Sequence, residues 1–159
     1  MDPIPEELAA LDREVERQAR GLPKLEPGAG GLAVAVGVLV LLIAFALPWV
    51  GPHGGWQILS GASGLGLLPR LFTITAVLFG VVGSGAALTT RLWPIGWACA
   101  LGCGFSVVNG LWAIWSRQTA QDGGPGPGPG LLLAVVSLVF LTTMWVRLAW
   151  SRPGGRANG

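Results

Sequence analysis

Few residues of this sequence could do chemistry, and they lie far apart along the chain. Cys99 and Cys103 are four residues apart in an apolar run, and His53 is the single histidine. A CxxxC pair is a weak metal signal without further soft ligands, because a structural zinc site takes four. We therefore predict that both cysteines pack as small apolar side chains, that His53 is a solvated loop residue, and that the chain holds no metal and no cofactor.

Acid–base and phosphate chemistry also have little support. Asp122 is the one acidic residue after Glu26, so no Ser/His/Asp set can be assembled. The glycines from 123 to 130 alternate with prolines and lack the lysine of a phosphate-binding loop. This segment is expected to be an irregular connector. We predict that the chain is not an enzyme and has no catalytic residues.

Asn109 lies in an uncharged stretch from Trp93 to Trp115, bounded by Arg91 and Arg117. Small residues recur every four positions here and in the preceding apolar segment, a spacing that lets helices approach closely. We expect Asn109 to bond a neighbouring helix or a backbone carbonyl, and the alternative is a place in a substrate path. The predicted helix-packing residues are Gly80, Ser84, Ala98, Gly102, Ser106, Gly110 and Asn109.

The elements that would position these residues are four long apolar segments. The chain is 52% hydrophobic and 11% charged, whereas soluble domains carry about 25% charged residues. A helix of about 20 residues crosses a bilayer core of about 30 Å. We predict an all-α, polytopic membrane protein: a four-helix transmembrane bundle over residues 27–150, with spans at about 30–50, 71–90, 93–116 and 130–147. The expected interface anchors are Trp49, Trp93, Trp115, Trp145, Trp150 and Arg147.

Residues 1–26 are polar and precede the first apolar segment. Residues 151–159 are predicted to form a cytoplasmic tail. Residues 2–22 are predicted to form one amphipathic cytoplasmic helix. The apolar residues of this helix follow a helical spacing and form one stripe. The helix either rests on the membrane surface or its own bundle, or docks onto a partner protein through Ile4, Leu8, Leu11 and Val15.

The distribution of Lys and Arg predicts an orientation. With both termini in the cytoplasm, eight of the ten basic residues lie inside and only Arg70 and Arg117 lie outside. We therefore predict a multi-pass protein of the inner (plasma) membrane. The glycine-rich loop 51–69 then faces outward, and whether it binds a ligand stays open.

Several short motifs resemble a family of small four-pass membrane proteins of actinobacteria, including mycobacteria, whose function is uncharacterised. They are LPW and GGWQIL after the first segment, LPRLF at the second, TTRLWPIGWA between the second and third, LWAIWSRQT after the third, and PGPG before the last. The resemblance covers residues 6 to 152. It implies an integral membrane protein and no catalytic residues.

These observations together favour a non-enzymatic accessory or scaffolding subunit of a cell-envelope, division or respiratory membrane assembly. Its partners would be the lipid bilayer and other membrane proteins or a second copy, with no nucleic acid, because the chain has no basic stripe. The alternative is a small-molecule or lipid carrier, or a pore, with a path near Asn109.

Overall fold

The structure is a computed structural model that describes Leu11, Arg13, Val15, Glu16 and residues 28–61, 67–119 and 125–151. Five helices follow from residue 28: α1 (Gly28–Ala46), α2 (Gly55–Leu59), α3 (Leu67–Thr90), α4 (Trp93–Gln118) and α5 (Pro129–Trp150). Two short strands, β1 (Pro48–Val50) and β2 (His53–Gly54), pair antiparallel between α1 and α2.

The four long helices pack as a bundle in which α5 lies along both α1 and α4. Helix α3 packs along α4 and reaches α1 through its middle. Leucine and aromatic side chains fill the interior, and Leu41, Leu138 and Leu141 are fully buried where α1, α3 and α5 meet. Gly80 belongs to this contact, since a Cβ there would lie 2.6 Å from Leu41 Cδ2.

Helix α3 contains a π-helical segment, Ala76–Gly83, between two α-helical parts. In a π-helix the hydrogen bonds join residues five apart, which widens the turn. The Ser84 hydroxyl follows the same spacing and donates to the Phe79 carbonyl at 3.3 Å.

A very short connection joins α3 to α4. Arg91 has a left-handed backbone with φ 55°, and its N–H donates to the Ala87 carbonyl at 2.9 Å. This arrangement closes the last turn of α3. Pro94 stands in the first turn of α4, where a helix leaves backbone N–H groups without intrahelical partners. The two helices therefore form an antiparallel hairpin.

The end of the bundle that carries β1 and β2 is built around Trp49. This side chain is fully buried, and its Nε1–H donates to the Ala44 carbonyl at 2.7 Å. Its ring centroid lies 4.9 Å from that of Phe45 and 5.3 Å from that of Phe72. The Gly128 N–H donates to the Trp49 carbonyl at 2.6 Å. The Pro-Gly segment before α5 is thus held on this aromatic cluster.

The outer faces of the long helices carry large apolar side chains. Leu32 and Leu101 are each 70% exposed. Four helices, α1, α3, α4 and α5, are long and apolar enough to cross a membrane by length and composition. In each of these helices, more than half of the most apolar stretch lies outside the interior of the bundle.

Candidate functional site

Three tryptophans meet at the bundle end opposite β1 and β2. Trp93 is the first residue of α4, Trp97 follows one turn later, and Trp150 is the last residue of α5. The ring centroids of Trp93 and Trp97 are 6.1 Å apart at 75°, and those of Trp97 and Trp150 are 6.2 Å apart at 47°. Because α4 and α5 are antiparallel neighbours, the start of one meets the end of the other, which brings the three rings together.

The three tryptophans and Ala149 line a cavity of about 250 Å³, which we call the tryptophan cleft. The Trp93 Nε1–H is used within the fold, because it donates to the Ala149 carbonyl at 2.9 Å. The Trp97 Nε1 atom is buried and has no acceptor among the residues that the structure describes. A buried donor without a partner costs free energy, and such a group in a native structure calls for a partner. The Trp97 N–H is therefore an unused donor beneath the surface of the cleft.

Two exposed arginines of the described residues lie at this end of the bundle. Arg91 precedes Trp93 by two residues and Arg147 precedes Trp150 by three, and both are exposed. In the sequence, Arg152 and Arg156 follow Trp150 and lie outside the described residues. Aromatic faces beside exposed guanidinium groups suit a ligand that has both a planar ring and negative charge.

Asn109 does not belong to the tryptophan cleft. It is twelve residues beyond Trp97 on α4, which is about 18 Å along the helix axis at 1.5 Å per residue. Its side chain is 4% exposed, and its Nδ2 has no acceptor within the described part of the chain. Its amide nitrogen therefore donates no hydrogen bond to a neighbouring helix among these residues.

Cys99 and Cys103 lie one turn apart on α4 and are buried and unpaired with each other. Burial raises the pKa of Cys99 to about 11, and burial together with the nearby Cys99 raises that of Cys103 to about 12. Thiolates rather than thiols bind metals and attack electrophiles. Among residues 28–61, 67–119 and 125–151, no three His, Cys, Asp or Glu side chains are grouped to hold a metal ion. His53 is half-buried in β2.

An apolar groove of about 260 Å³ runs between α1 and α5, lined by Val36, Gly37, Val40, Leu133, Val136, Ser137 and Phe140. The one hydroxyl among these side chains, that of Ser137, donates to the Leu133 carbonyl of its own helix at 2.8 Å. The side chains of this lining thus leave no free hydrogen-bond donor for a ligand.

The predicted packing residues fall into two groups. Gly80, Ser84, Gly102, Ser106 and Gly110 are buried between helices, whereas Ala98 is exposed. A Cβ on Gly110 would lie 2.6 Å from Val135 Cγ2, and a Cβ on Gly102 would overlap the Phe79 ring.

Two predicted surface anchors are instead interior residues. Trp49 and Trp145 are buried, because each indole N–H finds an acceptor inside the bundle, at Ala44 and Ser84 respectively. Trp115, Trp150 and Arg147 are exposed. Of the expected docking stripe, Leu11 and Val15 are helical and exposed, while Ile4 and Leu8 lie outside the described residues.

Trp97 is a cleft residue that does not appear among the site residues predicted from the sequence. Its spacing of four from Trp93 places both rings on one helix face, and Pro94 between them marks the helix start. The sequence therefore contains a signal for the pairing of Trp93 with Trp97. It contains no such signal for Trp150, because the contact of Trp150 with Trp97 depends on how α5 packs against α4.

A family model describes most of this chain. The model of the MiaB C-terminal domain matches residues 7–157. The chain belongs to the MiaB C-terminal domain family. This membership corrects the resemblance to a membrane protein family of uncharacterised function.

A relative with a named activity supports the same conclusion. A protein of Mycobacterium avium (strain 104), described as a tRNA-2-methylthio-N(6)-dimethylallyladenosine synthase, is 40% identical over 151 residues. The match covers 91% of this chain and 21% of the relative, so the chain spans about one fifth of that protein's length. No solved structure was found to match.

These comparisons overturn several expectations drawn from hydropathy. The bundle is helical, but neither the family description nor the relative supports the polytopic membrane fold or the inner-membrane location with cytoplasmic termini. The expectation of an accessory subunit, carrier or pore that is not an enzyme is contradicted by a relative that is a synthase. The expectation of lipid and membrane-protein partners without nucleic acid conflicts with a relative whose name specifies tRNA. The membrane expectations depended on length and apolar composition, which carry no information about activity, and the other two depended on the absence of recognisable catalytic sets and of a basic stripe.

Proposed function

We propose that this chain takes part in forming 2-methylthio-N(6)-dimethylallyladenosine in tRNA, in the role that the matching fifth of the synthase has in that enzyme. The observation that carries the proposal is the 40% identity to the synthase over 91% of this chain. The match extends over 151 residues, so the aligned region includes the helix contacts as well as the surfaces.

The geometry is compatible with a part in handling RNA. Exposed arginines can neutralise phosphates, and exposed aromatic rings can stack on bases. Arg91, Arg147 and Trp150 bring both features to one end of the bundle. The reaction product is itself an RNA base, so a base-binding surface is a useful part of such an enzyme.

The experiment is a deletion in the source organism, followed by quantification of tRNA nucleosides by liquid chromatography and mass spectrometry. We expect the ratio of 2-methylthio-N(6)-dimethylallyladenosine to N(6)-dimethylallyladenosine to fall several-fold and to return when the intact chain is supplied. An unrelated tRNA nucleoside, such as pseudouridine, serves as the control and should not change. An unaltered ratio in the deletion strain contradicts the proposal.

A further inference from the structure

We propose that the outer face of α4 is the surface on which the remaining four-fifths of a tRNA-2-methylthio-N(6)-dimethylallyladenosine synthase packs. The inference deepens the proposed function, on which it rests, by naming a partner and the residues that meet it. No comparison assigns these residues. The outer face of α4 consists of six exposed apolar side chains: Leu101, Phe105, Val108, Leu111, Trp112 and Trp115.

Five of these side chains form a narrow stripe along the helix. They follow one another from Leu101 to Trp115 at steps of four, three, four and three residues. Such a spacing is typical of a helix that packs along another helix, because a period of 3.5 residues keeps the same side toward the partner. The stripe is about 21 Å long at 1.5 Å per residue. Helices α3 and α5 already cover the other sides of α4, so the helix that meets this stripe comes from outside the bundle.

The outer face of α4 is large enough to form an interface. Phe105, Trp112 and Trp115 are 56%, 57% and 65% exposed. Aromatic side chains offer about 150–250 Å² each, so these three alone expose roughly 300–400 Å². With the three aliphatic side chains the face reaches the upper part of the range of about 300–600 Å² that the largest apolar patch of a typical monomer covers. A partner surface of equal size would bury roughly 1,000 Å² in total, the area that a specific interface needs.

Aromatic composition distinguishes this face from the apolar face of α1. Aromatic residues are enriched in the centres of protein interfaces and Trp among the residues that dominate binding, whereas Leu and Val are under-represented there. No charged residue lies between Arg91 and Arg117, so covering the α4 face buries no unpaired charge. The exposed large side chains of α1 are all aliphatic: Leu32, Val36, Leu39 and Ile43.

The share of the relative that this chain spans points to the occupant. The match covers 91% of this chain and 21% of the relative, so in the relative the matching region belongs to a protein about five times as long. An apolar stripe that is open to water when this region stands alone is the surface that contact with the remainder would cover. The contacting element is a helix with uncharged side chains at the same spacing of 3.5 residues.

The test is photocrosslinking of the full chain in cells of the source organism. The probe is Val108→p-benzoylphenylalanine, in the middle of the outer face of α4, and the matched control is Leu32→p-benzoylphenylalanine on α1. Both positions are exposed and apolar. After irradiation, mass spectrometry identifies the peptides joined to each probe. We expect the probe at 108 to join a synthase peptide outside the region that matches this chain, and the probe at 32 to join none.

Variants then measure what the aromatic side chains contribute. Trp112→Ala should lower the yield of the synthase crosslink from position 108 about tenfold or more, as expected for a Trp that dominates binding. Trp112→Phe keeps an aromatic ring and should retain most of the yield. Leu39→Ala on α1 is the control and should leave the yield unchanged. Trp112 and Leu39 are similarly exposed, at 57% and 59%, so circular dichroism should show an intact bundle in each variant.

Several outcomes overturn the inference: no crosslink from position 108, crosslinks only to a second copy of this chain or only to phospholipid, equal synthase yields from positions 108 and 32, or a yield that Trp112→Ala does not change. The result can be separated from the proposed function. A deletion strain that loses the modified nucleoside, without a synthase crosslink from position 108, would retain the function and refute docking on this face. A synthase crosslink beside a normal nucleoside ratio would contradict the function and still establish the contact.

Discussion

The indole N–H of Trp145 donates a hydrogen bond of 2.9 Å to the hydroxyl oxygen of Ser84, and both side chains are buried. The bond joins α3 to α5 across 61 residues of sequence. The Ser84 hydroxyl in turn donates a hydrogen bond to the Phe79 carbonyl. The two helices are thus connected by a short polar chain inside an apolar core, where each member depends on the next.

Ser84→Ala should destabilise the bundle by about 1–3 kcal/mol, because it leaves the Trp145 N–H buried without an acceptor. Chemical denaturation followed by circular dichroism measures this change. Ser137→Ala is the matched control: Ser137 is also buried, but its hydroxyl only donates to a carbonyl of its own helix. In a Trp145→Phe background the N–H is absent, so Ser84→Ala should cost clearly less. Equal costs in both backgrounds would show that the bond contributes nothing.

Gly102→Leu should destabilise the contact between α3 and α4 by about 1–3 kcal/mol or more, since overfilling a packed core forces side chains off their rotamers. A side chain at this position meets the Phe79 ring. Gly85→Leu is the control, because a Cβ there has open space around it. Thermal unfolding should show a lowered Tm for the first variant and an equal or higher Tm for the second. A Tm unaffected by Gly102→Leu would mean that Phe79 moves aside without cost.

Gly128→Ala should loosen the segment that leads into α5. A Cβ on Gly128 would lie 2.5 Å from the Pro48 carbonyl oxygen, and backbone atoms cannot move aside as a flexible side chain can. We expect the free energy of unfolding to fall by about 1–3 kcal/mol. We also expect faster hydrogen exchange at the amide of residue 128, which donates to the Trp49 carbonyl in the unaltered chain. Gly126→Ala has open space and should change neither quantity. Equal behaviour of the two variants would contradict the close contact.

Cys99 and Cys103 should react slowly with iodoacetamide at pH 8 in the folded chain and quickly after unfolding. Burial raises both pKa values, to about 11 and about 12, so the thiols are protonated at that pH as well as shielded. Because the folded chain holds these two thiol protons more tightly than the unfolded chain, their contribution to the free energy of unfolding depends on pH. That contribution is fully present below the unfolded-state pKa of about 9 and is lost as the pH rises toward 11 and 12. Rapid labelling of the native chain at pH 8 would show that the cysteines are accessible.

The long helices could be predicted because their causes are local. Apolar runs broken by Pro94, the Thr90–Trp93 link and the Pro-Gly segment indicate where helices begin and end. The predicted segments 71–90 and 93–116 lie within α3 and α4. The strands β1 and β2 and the π-helical segment were not predicted, because they depend on contacts with Trp49 and with α1 and α5.

The candidate site and the family needed information that composition lacks. The cleft requires Trp150 to meet Trp97, which depends on the packing of α5 against α4. Family membership follows from the order of residues over positions 7–157. The mean hydropathy of a segment does not depend on the order of its residues. Hydropathy therefore described the apolar faces of the helices and led to a wrong function, and the short motifs led to a wrong family.

The π-helical segment of α3 has a consequence for the angular positions of residues around that helix. Phe72 and Ser84 are twelve residues apart, so in an uninterrupted α-helix they would point about 120° away from each other, at about 100° per residue. The wider turn takes up about one residue and brings the two onto nearly the same side. Phe72 can then contact Trp49 at one end of the bundle while Ser84 accepts from Trp145 at the other. Loss of one residue between 76 and 83 would therefore leave an ordinary α-helix in which both contacts keep nearly the same angle, whereas one further inserted residue would rotate one of these contacts out of the core.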